Sequence, residues 1–267
     1  MIGRRSLALS LAGMALLVAC SRDSKSGAPS PASSNEITSA AGSTASFCGA
    51  GWRALDEGAC LAVPERLATP TSLVVYAHGM LAADALPTEE QATLLAAARS
   101  RGFAVLFQRG KAGLCAWEPG VVDNLCWPTK QETVDSAGPA IVAAWDRAQA
   151  RAEALVSARF ERRYLFGFSN GGYFVAFLTV EGRYPVDGAG LVGAGRTAVD
   201  ESLTGKARPP FYLAVGDQEE EVTRQDALTL TQVLDRGGWK TEHVVHPGRG
   251  HEVHEDDLAA AWALWGR

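Results

Sequence analysis

Arg163-Tyr164-Leu165-Phe166-Gly167-Phe168-Ser169-Asn170-Gly171-Gly172 decides the reading of this chain. Residues 164–168 have the apolar, aromatic character of a short buried strand, and the run 173–180 that of a buried helix. Gly-x-Ser-x-Gly therefore falls at a strand-to-helix junction, where the chain must turn sharply and hold Ser169 in a strained conformation. Strand end and helix start press together there, so positions two residues either side of the serine must lack side chains, and Gly167 and Gly171 do. The Ser169 hydroxyl then stands above the sheet, with the backbone N–H of Asn170 at the helix N-terminus aimed where an oxyanion can form. In a chain with 28 glycines the motif alone also fits a plain glycine turn; its flanking strand and helix favour a nucleophile.

Outward from that junction, strand and helix patterns alternate. Upstream, 72–77 is a wholly apolar strand ending in His78-Gly79-Met80, 88–101 is a helix between Pro87 and Gly102, and 103–108 is a second strand. Residues 129–158 read as helix, with Gly138-Pro139 expected to break or kink it. Downstream come strands 186–192, 211–215 and 241–245 and helices 222–236 and 253–265. This alternation predicts an α/β fold: a mainly parallel sheet covered by helices on both faces, preceded by an N-terminal hairpin.

Length and composition agree with one catalytic domain. The 267 residues, 47% apolar, can bury one large core. The formal charge is −5, becoming −7 if Arg4 and Arg5 are removed, and no basic stripe suits nucleic acid as a partner.

The first 46 residues read differently. Arg4 and Arg5, an apolar segment over 7–18 and Ala19 make 1–19 an export signal, too short in its apolar part for a permanent span. Leu17-Val18-Ala19-Cys20 resembles the bacterial lipoprotein box, which implies cleavage before Cys20 and acylation of it, anchoring the protein to the cell envelope. Residues 20–46, rich in Ser, Ala, Gly, Pro and Thr, read as a disordered tether, leaving 47–267 as the folded domain. In an exported chain the even set Cys48, Cys60, Cys115 and Cys126 predicts two disulfides. Short loop closure favours Cys48 with Cys60 across a hairpin turning at Asp56-Glu57-Gly58, and Cys115 with Cys126.

Reactive groups of an open parallel sheet gather beyond the carboxyl ends of its strands. At the first such loop the Met80 N–H is a second oxyanion donor beside Asn170, and His78 orients the loop by a hydrogen bond. At Gly216-Asp217-Gln218-Glu219 the order serine, acid, histidine finds its carboxylate; Glu219 has the longer reach, and Asp217 is the alternative, better suited to capping the turn. At His246-Pro247-Gly248-Arg249-Gly250-His251 two glycines free the loop to carry His251, the expected general base. His251 and His254 are three apart rather than four, so a zinc site fails on spacing, and no cofactor is expected. Trp117 and Trp127 lie in an excursion, 110–128, that follows a strand end; they bind substrate on the cleft wall or pack the underside of the loop.

With these residues in place the chain resembles the α/β-hydrolase family, specifically small serine esterases of the dienelactone hydrolase and polyhydroxybutyrate depolymerase type. The resemblance runs over about 72–266 and is carried by His78-Gly79, Gly167-Phe168-Ser169-Asn170-Gly171-Gly172, Gly216-Asp217-Gln218-Glu219 and Gly248-Arg249-Gly250-His251. It implies an acid three residues after the glycine, which falls on Glu219, although aspartate is usual there. It also implies that a lid, where present, follows strand 186–192; the interval 193–209 leaves little room for a large one. The expected activity is hydrolysis of small-molecule or polymeric carboxylic esters through an acyl-enzyme by a monomer, with a serine peptidase or a non-catalytic binding module of the same fold as rivals.

Overall fold

The computed structural model describes residues 47–55, 58–115, 119–196 and 207–266. The expected leader, Cys20, the tether and Trp117 lie outside them. Eight strands, β1 (Arg53–Leu55), β2 (Ala59–Ala62), β3 (Ser72–Ala77), β4 (Ala104–Gln108), β5 (Arg162–Phe168), β6 (Gly188–Val192), β7 (Phe211–Gly216) and β8 (Thr241–His246), form one sheet in the order β1-β2-β4-β3-β5-β6-β7-β8. The β1-β2-β4 edge is antiparallel and every other pairing is parallel. The sheet is accompanied by the α-helices α1 (Thr88–Arg101), α2 (Gln131–Val156), α3 (Ser169–Val180), α4 (Glu221–Arg236) and α5 (Glu255–Trp265) and a 3-10 turn, Pro119–Val121. This is the three-layer arrangement the alternation predicts, N-terminal hairpin included.

The central strands are apolar along most of their length because both their faces are covered. On β3, Leu73, Val75 and Ala77 face one core with Ile141 and Trp145 of α2, Phe174 and Leu178 of α3, and Leu230 and Leu234 of α4. Val74 and Tyr76 face the other, with Leu94, Ala97 and Ala98 of α1 and Leu258, Ala261 and Leu264 of α5. The period of two along each strand sorts side chains between the layers.

Disulfides join Cys48 to Cys60 and Cys115 to Cys126, as short loop closure favours. Of the break or kink expected at Gly138-Pro139, the break does not occur: α2 runs unbroken over 26 residues with Pro139 inside it. A proline removes the hydrogen bond to the carbonyl four residues back, here Asp135. Both residues are on the exposed face, where the freed carbonyl does not have to be buried without a partner.

Candidate active site

The strand-to-helix junction is a tight corner. β5 ends at Phe168, α3 begins at Ser169, and Ser169 has a φ of 50°, in the left-handed region that non-glycine residues rarely occupy. A Cβ at Gly167 would lie 2.7 Å from the Gly171 carbonyl oxygen, and one at Gly171 would collide with the Ala77 and His78 carbonyls. The glycines thus let strand, helix and the β3 loop close around the serine.

Two loops bring the partners. Gln218 N–H donates to the Arg249 carbonyl at 2.9 Å and Asp217 N–H to the His246 carbonyl at 3.0 Å, so the chain leaving β7 is zipped to the chain leaving β8. Glu219 and His251 arrive together as a result. His251 Nδ1 lies 2.7 Å from Glu219 Oε2, and His251 Nε2 lies 2.7 Å from Ser169 Oγ. An ionised carboxylate only accepts, so Nδ1 carries the proton and Nε2 is left to accept from the hydroxyl. The Glu219 side chain is 1% exposed while that of His251 is 48% exposed, which puts the acid underneath and the imidazole at the cleft. The hydrogen bond with Glu219, reinforced by its charge and opposed by burial, raises the His251 pKa above the ordinary imidazole value. Phe168 packs beside the imidazole, ring centroids 4.8 Å apart.

Asp217 is engaged elsewhere: its Oδ1 accepts the Gly248 N–H at 2.7 Å, the turn-capping use its position suggests. Three further histidines lie on β8 and at the start of α5. His246 is bonded to buried Asp257 at 2.8 Å, half-buried His243 lies within β8 with its pKa lowered by burial, and His254 caps α5.

The β3 loop lies against the serine. A Cβ at Gly79 would sit 3.3 Å from Ser169 Cβ, and Met80, next along, is 43% exposed. His78 is fully buried: the Gly110 N–H donates to its Nε2 at 2.9 Å, and its Nδ1–H donates to the Gly79 carbonyl. Burial lowers its pKa to about 4, so it stays neutral and holds the loop. Asn170, at the first turn of α3, is buried.

Trp127 is not on the cleft wall. It is 1% exposed, stacked on Phe174 and edge-on to Trp145, with its indole N–H given to the His78 carbonyl at 2.9 Å. Of the two placements open from the sequence, the underside of the loop is where this indole packs.

Two residues at the site had no sequence-level prediction. Gly193, just past β6, has a φ of 60°, and a Cβ there would fall 2.8 Å from Glu219 Oε1 and 3.0 Å from the His251 ring. Its signal is a lone glycine after a strand. Glu90, on the first turn of α1, accepts the Tyr76 hydroxyl at 2.6 Å, and burial raises its pKa to about 7. It reads in sequence as an ordinary acid at a helix N-terminus.

A cleft of about 300 Å³ opens at Ser169, Tyr173, Gly193, Glu220, Thr223 and His251. A second, of about 520 Å³, opens on the other side of His251 against Phe168, Glu90 and Leu86. A larger cavity of about 630 Å³, beside Trp52 and Val63, has neither serine nor histidine among its lining residues. Among the described residues no group of three or more His, Cys, Asp or Glu is placed to hold a metal ion.

Comparison with solved structures places the fold. TT1662 from Thermus thermophilus superposes with a TM-score of 0.54 at 17% identity, over 80% of this chain and 96% of that one. The chain has the α/β-hydrolase fold. Esterase PE8 gives 0.54 at 20% identity over 76% of this chain and 96% of its own, and Zea mays acyl-protein thioesterase 2 gives 0.53 at 14% over 77% and 96%. No family model matches the sequence, and no curated protein does either. At these identities the likeness concerns the α/β-hydrolase fold; what the protein does must be argued from the residues above.

Proposed function

We propose that the protein is a serine hydrolase of carboxylic esters. The observation that carries this reading is the chain of two 2.7 Å contacts from Ser169 Oγ through the His251 ring to Glu219. In the proposed reaction His251 Nε2 takes the hydroxyl proton as Ser169 attacks the ester carbonyl. Glu219 holds the imidazole in the required tautomer and stabilises the imidazolium that forms. The N–H groups of Met80 and Asn170 receive the negative charge of the tetrahedral oxygen. His251 then passes its proton to the departing alcohol, and water, activated by the same imidazole, releases the acid from the acyl-enzyme. The left-handed conformation of Ser169 supports this reading, since backbone strain of that kind persists where the surroundings impose it and clusters at active sites. Solved structures of the same fold include proteins described as an esterase and an acyl-protein thioesterase, which supports acyl transfer as the reaction class.

The two disulfides support export of the folded domain to an oxidising compartment, with Cys20 as the proposed lipid anchor. The test is turnover of a chain-length series of p-nitrophenyl acyl esters set beside matched anilides. The reading requires ester cleavage that Ser169→Ala abolishes. Turnover of anilides alone makes the protein a peptidase, and turnover of neither makes it a binding module.

A further inference from the structure

Trp127 is bonded to both segments that supply the proposed oxyanion donors, to one through its backbone and to the other through its indole. Its backbone N–H donates to Asn170 Oδ1 at 2.7 Å and its carbonyl accepts from Asn170 Nδ2 at 3.3 Å. The Asn170 amide is therefore gripped at both ends, and with it the residue whose backbone N–H is a proposed donor. On the other side the indole Nε1–H donates to the His78 carbonyl at 2.9 Å. The next peptide unit, Gly79 to Met80, carries the second donor, and its carbonyl is held by His78 Nδ1–H. A peptide unit is planar, so fixing its carbonyl also fixes the direction of its N–H.

Trp127 is itself immobilised. Leu125 and Leu81 exchange backbone hydrogen bonds of 2.7 and 3.2 Å, Cys126 and Lys111 exchange bonds of 3.0 and 2.9 Å, and Cys126 is disulfide-bonded to Cys115. The indole is closed in by Phe174, Trp145 and His78, at ring-centroid distances of 5.9, 5.4 and 5.3 Å. A residue held this way, by its backbone on one side and its buried indole on the other, transmits position, because close packing leaves the ring little room to move.

We infer that Trp127 is a positioning residue for the oxyanion hole, setting the Met80 and Asn170 N–H groups in register through the His78 carbonyl and the Asn170 side chain. The inference rests on the serine-hydrolase reading and deepens it. Donors aimed at the tetrahedral oxygen act on the transition state more than on the bound ester, so their misplacement appears in kcat and leaves KM nearly alone. It leaves the Glu219–His251 pair untouched, and therefore the pH at which the imidazole titrates.

The experiment uses the full chain. Wild-type ester turnover is measured first; its absence defeats the serine-hydrolase reading and says nothing about Trp127. Trp127→Phe then keeps an aromatic ring but removes the indole donor, and Asn170→Ala removes the other link. Rates are expressed per site titrated to completion with a fluorophosphonate, so loss of folded protein does not count as loss of activity. Each variant is expected to lower kcat by about 10- to 100-fold with KM changed by less than about threefold. A trifluoromethyl ketone, which places an oxyanion in the hole once Ser169 adds to it, should lose affinity by about the same factor as kcat. The acid limb of the pH profile should not move. Wild-type kcat in either folded variant, a loss carried by KM, or a displaced acid limb overturns the inference. So does a failure of both variants to yield titratable sites, which would make Trp127 a residue of the core alone.

Discussion

Of the two candidate acids after Gly216, Glu219 is the one in contact with His251. Glu219 is buried and bonded to His251, whereas Asp217 is exposed and spends its Oδ1 on the Gly248 N–H. Glu219→Gln is expected to lower kcat/KM by about 10²- to 10⁴-fold, because an amide can present its N–H to Nδ1 and favour the wrong tautomer. Asp217→Asn should cost far less. The same pair sets the pH dependence. The base must be neutral, and its pKa is raised by Glu219, so kcat/KM should fall with decreasing pH along an acid limb lying above the ordinary imidazole value of about 6.5. Glu219→Gln removes the cause of that rise and should move the limb to lower pH; an unmoved limb would detach the two residues. The meeting of Ser169, His251 and Glu219 could be expected from sequence because the elbow has a fixed pattern and the order of partners along the chain constrains the rest. Gly193 was not, since its lack of a side chain matters only once the ends of β6, β7 and β8 meet. Trp127 was not either: an indole in a loop looks the same whether it faces the cleft or the core.

Among the elements, the corner from β5 to α3 is fixed by what packs beneath α3. Trp145 of α2 is 2% exposed and meets Trp127, Phe174 and Tyr184 edge-on, at centroid distances of 5.4, 5.7 and 5.8 Å. Trp145→Ala should lower unfolding stability by about 3–5 kcal/mol, read from the urea midpoint and slope. A loss below about 1 kcal/mol would mean that this cluster does not hold α2 and α3 together. Strand limits could be read closely because fully apolar runs between turn residues have few alternatives. The continuity of α2 through Pro139 could not, because whether a freed carbonyl faces water depends on which way the helix is turned.

At the far edge of the sheet a disulfide closes the N-terminal hairpin. Cys48 and Cys60 close a separation of 12 residues, and Cys60 sits fully buried on β2. Replacing both by Ala should cost about 2–4 kcal/mol in unfolding stability while leaving kcat unchanged, since β1 and β2 lie at the far edge from β7 and β8. An equal loss of activity would tie the hairpin to the site. Fold class and layer order were readable from the alternation of patterns alone; the convergence of three loops on one point was readable only as an expectation, because sequence spacing does not measure distance.

The most direct measurement is therefore covalent. Full-length protein treated with a fluorophosphonate and digested for mass spectrometry should carry one adduct per chain, on the peptide containing Ser169, absent from Ser169→Ala and strongly slowed in His251→Ala. A folded protein that takes up no label, or takes it elsewhere, would contradict an activated serine at the end of β5.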